Sequence, residues 1–392
     1  MAISLAWGMC FIFGRLANVS FPIVGVIGAG QLARMMVPPA IDLGISLTLF
    51  AGSDSESGAQ VAPHRVGSLT DFAAVLEWAS SCDVVTFEHE LIPQELISAI
   101  EASGTKVFPS ADSFVYSQNK LVMREKMSEL GLPNPRWQRY EGGTPELEFP
   151  LIAKRVSGGY DGRGVFVIED LAVLKALHDS IGQTLLLEEK LDFDYEIAVM
   201  VARSPHGQAA TWSPTLTVQR DGICTQTVTP IPNFSRALAA QTAQIALAIA
   251  QGIDLVGVMA VEIFVVGDRL IINELALRPH NSGHWTIEGA VTSQFEQHLR
   301  AVLNLPLGST ALVAQYAVMG NVIGIETDKS TDLYRPYLHL MARTPDLKIH
   351  QYMKELRPGR KVGHVTLLGS DLLHLRSEVS HAVDYLSGAI DE

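Results

Sequence analysis

Between Ala153 and Val167 the chain reads AKRVSGGYDGRGVFV, a lysine on an extended run, then glycines at 158, 159, 162 and 164, then a second extended run. Glycines in that density leave backbone N–H groups uncovered and permit positive φ, which holding a phosphate requires. Lys154 and Arg163 put positive charge at the two ends of the loop. The spacing differs from G-x-x-x-x-G-K-[ST], and no helix follows, so a nucleotide here would lie under a hairpin lid and not at a helix N-terminus. An ordinary flexible glycine turn is the competing reading.

A second chemical stretch is DLVGVMAVEIFVVGDRLIINELALRPHNSGHWT. It reads as an antiparallel hairpin turning at Gly267-Asp268. A two-residue turn would set Glu262 opposite Asn273, and a three-residue turn including Arg269 would set it opposite Glu274. In either register two carboxylates and an amide meet at the end of apolar strands, hard oxygen ligands of the kind Mg²⁺ takes together with nucleotide phosphates. Solvent-facing carboxylates are the plainer reading, but Glu262 interrupts an otherwise apolar strand. RPHNSGHWT then packs Arg278, His280, Asn281, Ser282 and His284 together, a donor density suited to an anion or carbonyl. Further on, RPGRKVGH places Arg357, Arg360, Lys361 and His364 close in sequence, either a solvated basic face or a phosphate site.

The elements that must carry these groups can be read in outline. PIVGVI followed by GAGQLARMM is strand, tight turn and helix, and Gly28, Gly30 and Ala33 match G-x-G-x-x-A. The next strand, Ile45 to Phe50, has no acid at its tip for an NAD ribose. Alternating segments follow: helix 71–79, strand 83–87, helix 93–103 and strand 106–108, a doubly wound α/β domain ending near Ser110. TFEHE puts Glu88, His89 and Glu90 at the carboxyl end of a strand, where open α/β sheets bind ligands. A helix is expected over 118–130, stopped by Gly131 and Pro133. Helices are also expected over 171–181, 236–252 and 293–303. An apolar strand runs into Glu188 and Glu189, another starts at Glu196, 211–229 alternates as further strand, and strands recur near 314–324.

The chain has 392 residues, 47% hydrophobic and 18% charged, enough for two or three globular domains. A net charge of −13 argues against nucleic acid or an anionic membrane as partner, while leaving room for a basic pocket that takes small anions. Cys10, Cys82 and Cys224 are scattered, as reduced cytoplasmic thiols would be. The apolar start, MAISLAWGMCFIF, lacks a basic leading region and is too short to span a bilayer; Met9 could also start translation, and the fold is expected to begin near Phe21.

GGYDGRG, the Glu262/Glu274 pair and RPHNSGHWT followed by RPGRKVGH together resemble the ATP-grasp family of 5-(carboxyamino)imidazole ribonucleotide synthases. The resemblance runs in order from Pro22 to about Leu368 and includes GAGQLARMM and TFEHE. It implies an α/β and α+β chain: an extension over 1–20, a Rossmann-like pre-ATP-grasp domain over 21–115, an ATP-grasp domain over 116–308 and a small β-rich C-terminal domain over 309–392.

It further implies ATP and Mg²⁺ as cofactors, bicarbonate and aminoimidazole ribonucleotide as substrates, and a homodimer. Lys120 and Lys154 would reach the ATP phosphates, under a lid formed by Gly159, Tyr160, Asp161, Gly162, Arg163, Gly164 and Val165. Glu188, Glu189, Lys190 and Leu191 would meet adenine and ribose, with Glu196 on the ribose hydroxyls and Gln219 nearby. Glu262 and Glu274 would hold the metal, with Asn273 beside them. Lys154, Tyr160, Arg278, His280 and Asn281 would carry the chemistry, and Gln31, Glu88, Arg278, Arg360 and Lys361 would bind substrate. The sequence departs from the family pattern at Leu216 and Thr217, where Glu and Asn are expected, at Gln219 in place of a histidine, and at Leu277 in place of a proline. Two readings compete. A different ATP-grasp ligase, such as a formate-dependent ribonucleotide transformylase or a carboxylase subunit, would lack RPGRKVGH. A non-catalytic NAD-binding α/β protein would be built on GAGQLA.

Overall fold

The computed structural model describes residues 21–158, 164–325, 334–355 and 357–390. The expectations for residues 1–20 and for Gly159, Tyr160, Asp161, Gly162 and Arg163 therefore lie outside the described residues.

The first sheet is parallel, with strands β1 (Ile23–Ile27), β2 (Ser46–Ala51), β3 (His64–Val66), β4 (Val84–Phe87) and β5 (Lys106–Val107) in the order β3-β2-β1-β4-β5. Helices α1 (Gln31–Asp42), α2 (Phe72–Ala79) and α3 (Gln94–Ala102) supply the crossovers. β1 and β4 are almost wholly apolar and buried, as strands covered on both faces must be.

The helix expected over 118–130 is two helices, α4 (Ala111–Gln118) and α5 (Lys120–Glu129), broken at Asn119. Asn119 is extended (φ −123°), and its side chain accepts from the backbone N–H groups of Leu121 and Val122. A short amide side chain that caps the following turn competes with helix continuation, so the break is local chemistry. Its consequence is that Lys120 opens α5.

A four-stranded antiparallel sheet follows: β6 (Trp137–Tyr140), β7 (Leu151–Arg155), β8 (Val165–Ile168) and β9 (Leu185–Glu189), in the order β6-β9-β7-β8, backed by α6 (Leu171–Ile181). Gly158 (φ +78°) and Gly164 (φ +81°) bracket the glycine loop in the left-handed region. Both flanks thus need glycine for backbone reasons before any ligand is considered.

The large sheet contains β10 (Tyr195–Arg203), β11 (Ala209–Thr211), β12 (Thr215–Arg220), β13 (Ile223–Thr229), then, after α7 (Arg236–Gly252), β14 (Gly257–Val266) and β15 (Arg269–Ala276). The single alternating run expected over 211–229 is a hairpin, turned by Asp221 (φ +52°) and Gly222 (φ +76°), both in the left-handed region that a two-residue hairpin turn uses. Beyond the short helices α8 (Thr286–Gly289) and α9 (Gln294–Val302), strand β16 (Tyr316–Ile323) pairs with β13. After α10 (Tyr334–Arg343), β17 (Lys348–Gln351) and β18 (Lys361–Gly369) complete the order β15-β14-β10-β12-β13-β16-β18-β17. The C-terminal strands therefore continue the same sheet, and α11 (Leu372–Ser387) covers them. One apolar core runs from Ile27 and Phe87 through Phe114 and Met127 to Ile197, Val261 and Leu277, which ties the first sheet to the large one.

Candidate active site

The metal-type pair is set by a defect in the β14–β15 ladder. Val266 pairs with Arg269 and Ile263 with Ile272, as a two-residue Gly267-Asp268 turn dictates. That register would bring Asn273 opposite Glu262. Instead the ladder shifts between Glu262 and Ile263, and Glu262 stands opposite Glu274. Asn273 is the extra residue, so the turn is the two-residue one and a β-bulge, not a three-residue turn, sets Glu262 opposite Glu274.

Around this pair the positive groups arrive from three elements. Lys120, at the start of α5, donates to Glu274 Oε1. Lys154 on β7 is buried; its Nζ lies 2.7 Å from Glu188 Oε2 and donates to Asn273 Oδ1 at 3.0 Å. Glu188 pairs across the sheet with Ile152, so Lys154, two residues on, lies diagonally on the same face. Burial lowers the Lys154 ammonium, with Glu188 opposing that shift. Burial likewise pushes the Glu188 carboxyl up, but Arg124 and Lys154 outweigh it and hold it below the ordinary carboxylate range.

Arg124 was not singled out from the sequence, yet it is fully buried and organises this corner. Its Nε donates to Glu188 Oε1 at 2.6 Å, and its Nη atoms donate to the carbonyls of Ile272 (2.7 Å) and Asn273 (2.8 Å). The guanidinium thus holds both the bulge and the carboxylate that pairs with Lys154. The available signal was its position between Leu121 and Met127 on the apolar face of α5, where an exposed arginine does not belong.

Glu189, adjacent in sequence, points to the other face as strand alternation requires. Its carboxylate accepts from Arg136 N at 2.8 Å and Arg136 Nε at 3.0 Å. Lys190 and Leu191 lie in the connection from β9 to β10. Glu196 on β10 faces Gln219, whose Nε2 donates to Glu196 Oε2 at 3.4 Å, and burial raises the Glu196 carboxyl. Glu262 is pushed up to about 8, first by burial and then by Glu274 and Glu196. Glu274 and Glu196 thus disfavour the charge on Glu262, which leaves the site electrostatically prepared for a cation. Among the described residues no group of three His, Cys, Asp or Glu side chains forms a metal cage, so Glu262 and Glu274 offer only part of a shell.

The substrate-side residues gather at the end of the same hairpin. His280 Nε2 lies 3.6 Å from Glu262 Oε1, and burial lowers its imidazole well below the ordinary value, with Arg278 and Lys361 acting in the same direction. Arg278 Nε forms an ion pair with Glu90 Oε1 at 2.7 Å, which brings the hairpin exit to the carboxyl edge of the first sheet. Asn281 is turned elsewhere: its amide exchanges two hydrogen bonds (2.8 and 2.7 Å) with Asn321, fully buried on β16. Arg360 donates to the carbonyl of Glu355 at 3.3 Å, and Lys361 opens β18 close enough to act on Glu262 and His280.

At the first sheet, Gly30 N donates to Glu88 Oε1 at 2.8 Å. A Cβ at Gly30 would fall 2.4 Å from that oxygen, so glycine here admits a carboxylate. The anion position of the G-x-G turn is therefore taken by Glu88, which disfavours a pyrophosphate. Gln31 accepts from Lys354, a second residue missed in the sequence, which reaches in from the segment before β18. That segment is anchored to the first domain by Ser57 Oγ donating to the Tyr352 carbonyl at 2.6 Å.

Of the departures from the family pattern, Leu277 is fully buried in the main core and Leu216 packs against two apolar clusters. Thr217 pairs with Glu196 across the β10–β12 ladder.

Comparison with known proteins matches three family models in chain order. A ribonucleotide synthetase preATP-grasp domain matches residues 22–118, an ATP-grasp domain 126–295, and a phosphoribosylaminoimidazole carboxylase C-terminal domain 317–378. The N5-carboxyaminoimidazole ribonucleotide synthase of Mycobacterium tuberculosis is 44% identical over 379 residues, covering 93% of this chain and 88% of the relative. That of Corynebacterium ammoniagenes is 40% identical over 383 residues, covering 94% and 92%. Among solved structures, the synthetase from Thermus thermophilus superposes with a TM-score of 0.82 at 34% identity, covering 94% of this chain and 99% of that one. The Aspergillus clavatus synthase in complex with ADP and 5-aminoimidazole ribonucleotide superposes with a TM-score of 0.84 at 30% identity, with the same coverage. With this identity along nearly the whole length and all three domains matched in order, the chain belongs to the N5-carboxyaminoimidazole ribonucleotide synthase family of ATP-grasp ligases.

Proposed function

We propose that this protein uses ATP and bicarbonate to carboxylate the exocyclic amine of 5-aminoimidazole ribonucleotide, releasing ADP and phosphate, in purine biosynthesis. The observation that carries this reading is the Glu262/Glu274 pair, with Lys120 and Lys154 on one side and Arg278 and His280 on the other. The Aspergillus clavatus relative, bound to ADP and 5-aminoimidazole ribonucleotide, supports both ligands.

In the first step a bicarbonate oxygen attacks the γ-phosphorus of ATP, the bond to the β-phosphate oxygen breaks, and carboxyphosphate and ADP result. Such a transfer depends on alignment and charge neutralisation more than on covalent chemistry. Lys120 and Lys154 neutralise phosphate charge, and Glu196 and Gln219 bind the ribose side. Glu262 and Glu274 would hold Mg²⁺, which would supply charge neutralisation for the phosphoryl transfer. Arg278 binds the anionic carboxyl group. Neutral His280, kept so by burial, donates or accepts a hydrogen bond there. In the second step the amine nitrogen of the ribonucleotide attacks the carboxyl carbon, phosphate leaves, and the nitrogen loses a proton. Gln31, Glu88, Arg360 and Lys361 hold the ribonucleotide. The family resemblance assigns residues 159–165 to a lid, which would exclude water from the labile intermediate.

The proposal includes domain limits near residues 115 and 308, a homodimer, and a cytoplasmic location, where ATP and the nucleotide substrate occur together. Light scattering tests the dimer. The carboxylation itself is tested with ¹³C-bicarbonate, ATP and aminoimidazole ribonucleotide: a new carbamate carbon resonance that requires all three is expected, and its absence would refute the reaction. The NAD-binding reading is disfavoured by the Glu88 carboxylate on Gly30 N–H, and thermal-shift titration with ATP·Mg²⁺ against NAD separates the two.

A further inference from the structure

The histidine-rich loop is held by one side chain that has no assigned part in the chemistry. Gln294, the first residue of α9, is fully buried. Its Oε1 accepts from the backbone N–H of His280 at 2.8 Å, and its Nε2 donates to the His280 carbonyl at 2.8 Å. The amide thus pairs with both backbone polar groups of His280 as a neighbouring strand would. Only one amide orientation satisfies both bonds. The second Nε2 hydrogen then faces His284 Nδ1 at 3.1 Å, so that nitrogen must accept and His284 carries its proton on Nε2. The side chain is itself fixed: Gln294 N donates to Thr286 Oγ1 at 2.9 Å, and a Cβ at Gly283 would meet Gln294 Oε1 at 2.6 Å. His280 in turn completes the loop through Nδ1 and Ser282 Oγ at 2.9 Å, leaving Nε2 toward Glu262.

We propose that Gln294 is a positioning residue, whose amide fixes the backbone of His280 and the tautomer of His284 and so aims His280 Nε2 at the reacting carboxyl group. The aim toward that group rests on the function proposed above; the backbone clamp and the tautomer do not. Glutamate is the informative substitution. It has the same shape and can still accept from His280 N–H, but as a carboxylate it opposes the His280 carbonyl and cannot donate to His284. Protonation restores one donor. The other charged or titratable groups facing His284 are His280 and Arg278 from its own loop, His350 from β17, Lys361 and His364 from β18, and the Tyr352 ring, all unchanged in this variant.

In Gln294→Glu, kcat for ribonucleotide-dependent ADP release should fall by about tenfold near neutral pH, a buried acceptor having lost its donor, with KM for ATP within about twofold. The ratio of variant to wild-type kcat should rise severalfold as the pH is lowered from about 8 to about 6, as the new carboxyl protonates. Thermal unfolding at the same pH values checks that the variant is folded. A loss of kcat that is equal at every pH, or a matching loss in KM for ATP, would overturn the positioning role. Independently of turnover, ¹⁵N-histidine spectra should show His284 neutral and protonated on Nε2 in the wild type and altered in the variant; a wild-type Nδ1–H form would overturn the inference. A wild-type protein that shows the His284 tautomer but no ribonucleotide-dependent turnover would count against the proposed function and leave the clamp standing.

Discussion

Glu262 and Glu274 face each other across the β14–β15 ladder one residue out of the register set by their own turn. The bulge at Asn273 does two things together: it aligns the carboxylates, and it turns the Asn273 amide to Lys154 and the Asn273 carbonyl to Arg124. Glu274→Gln removes one charge without changing shape. Turnover should fall by about a hundredfold or more, because charge placed for a developing transition state is lost. Its side chain is 37% exposed, so stability should change by less than about 1 kcal/mol. ADP-release kinetics and urea unfolding read both. Wild-type turnover in a folded Glu274→Gln protein contradicts the assignment.

Arg124 and Glu188 form a buried pair in which Lys154 also takes part, so removing the guanidinium leaves Glu188 only partly compensated and the carbonyls of Ile272 and Asn273 without this donor. Arg124→Met should cost about 3–5 kcal/mol in urea unfolding. In a Glu188→Gln background Arg124→Met should cost less than it does alone, since no buried carboxylate then depends on the guanidinium. A double variant whose loss equals the sum of the two single losses would show that the pair is not coupled.

The buried imidazoles make stability fall with acid. Burial lowers His298 to about 3, and lowers His280, His284 and His364 well below the ordinary value. The unfolded chain takes up these protons near the ordinary imidazole value, about 6.5. Each histidine's contribution is therefore complete above that pH and is lost as the pH falls toward its lowered folded value, by about 1.4 kcal/mol per pH unit for each group. Unfolding free energy measured from about pH 7 to about pH 5 should show this steep decline. His298→Gln, which can still reach Thr86 and Val258 N–H, should reduce the slope by about one proton. An unchanged slope would contradict the burial argument for His298.

Gln219 stands where the family pattern has histidine, and its amide bonds Glu196. Gln219→Leu should raise KM for ATP about three- to tenfold with kcat nearly unchanged, as expected for one lost polar contact made equally in ground and transition states. Gln219→His should stay near wild type. Equal KM values for the leucine variant and the wild type would remove Gln219 from the nucleotide site.

The sequence made the layout legible where the signal is local. Helix Arg236–Gly252 and the Gly267-Asp268 turn coincide with expectation, as does the parallel order implied by alternating strands and helices. The glycine loop, the acidic pair and the histidine-rich stretch were also visible as clusters of chemistry. The missing features depend on distant partners. Arg124 stands out in sequence only by its place on the apolar face of α5, and its partner Glu188 lies 64 residues away. Lys354 meets Gln31 across 323 residues, and Asn281 is drawn to Asn321, so neither destination can be read from a window of sequence. The bulge is a further case, because turn length alone predicts the wrong partner for Glu262.

The central claim is tested most directly by the rate of ADP release from ATP and bicarbonate, with and without 5-aminoimidazole ribonucleotide. The account predicts little release without the ribonucleotide and a large stimulation with it, one ADP appearing for each amine carboxylated. Release that the ribonucleotide leaves unchanged would contradict it.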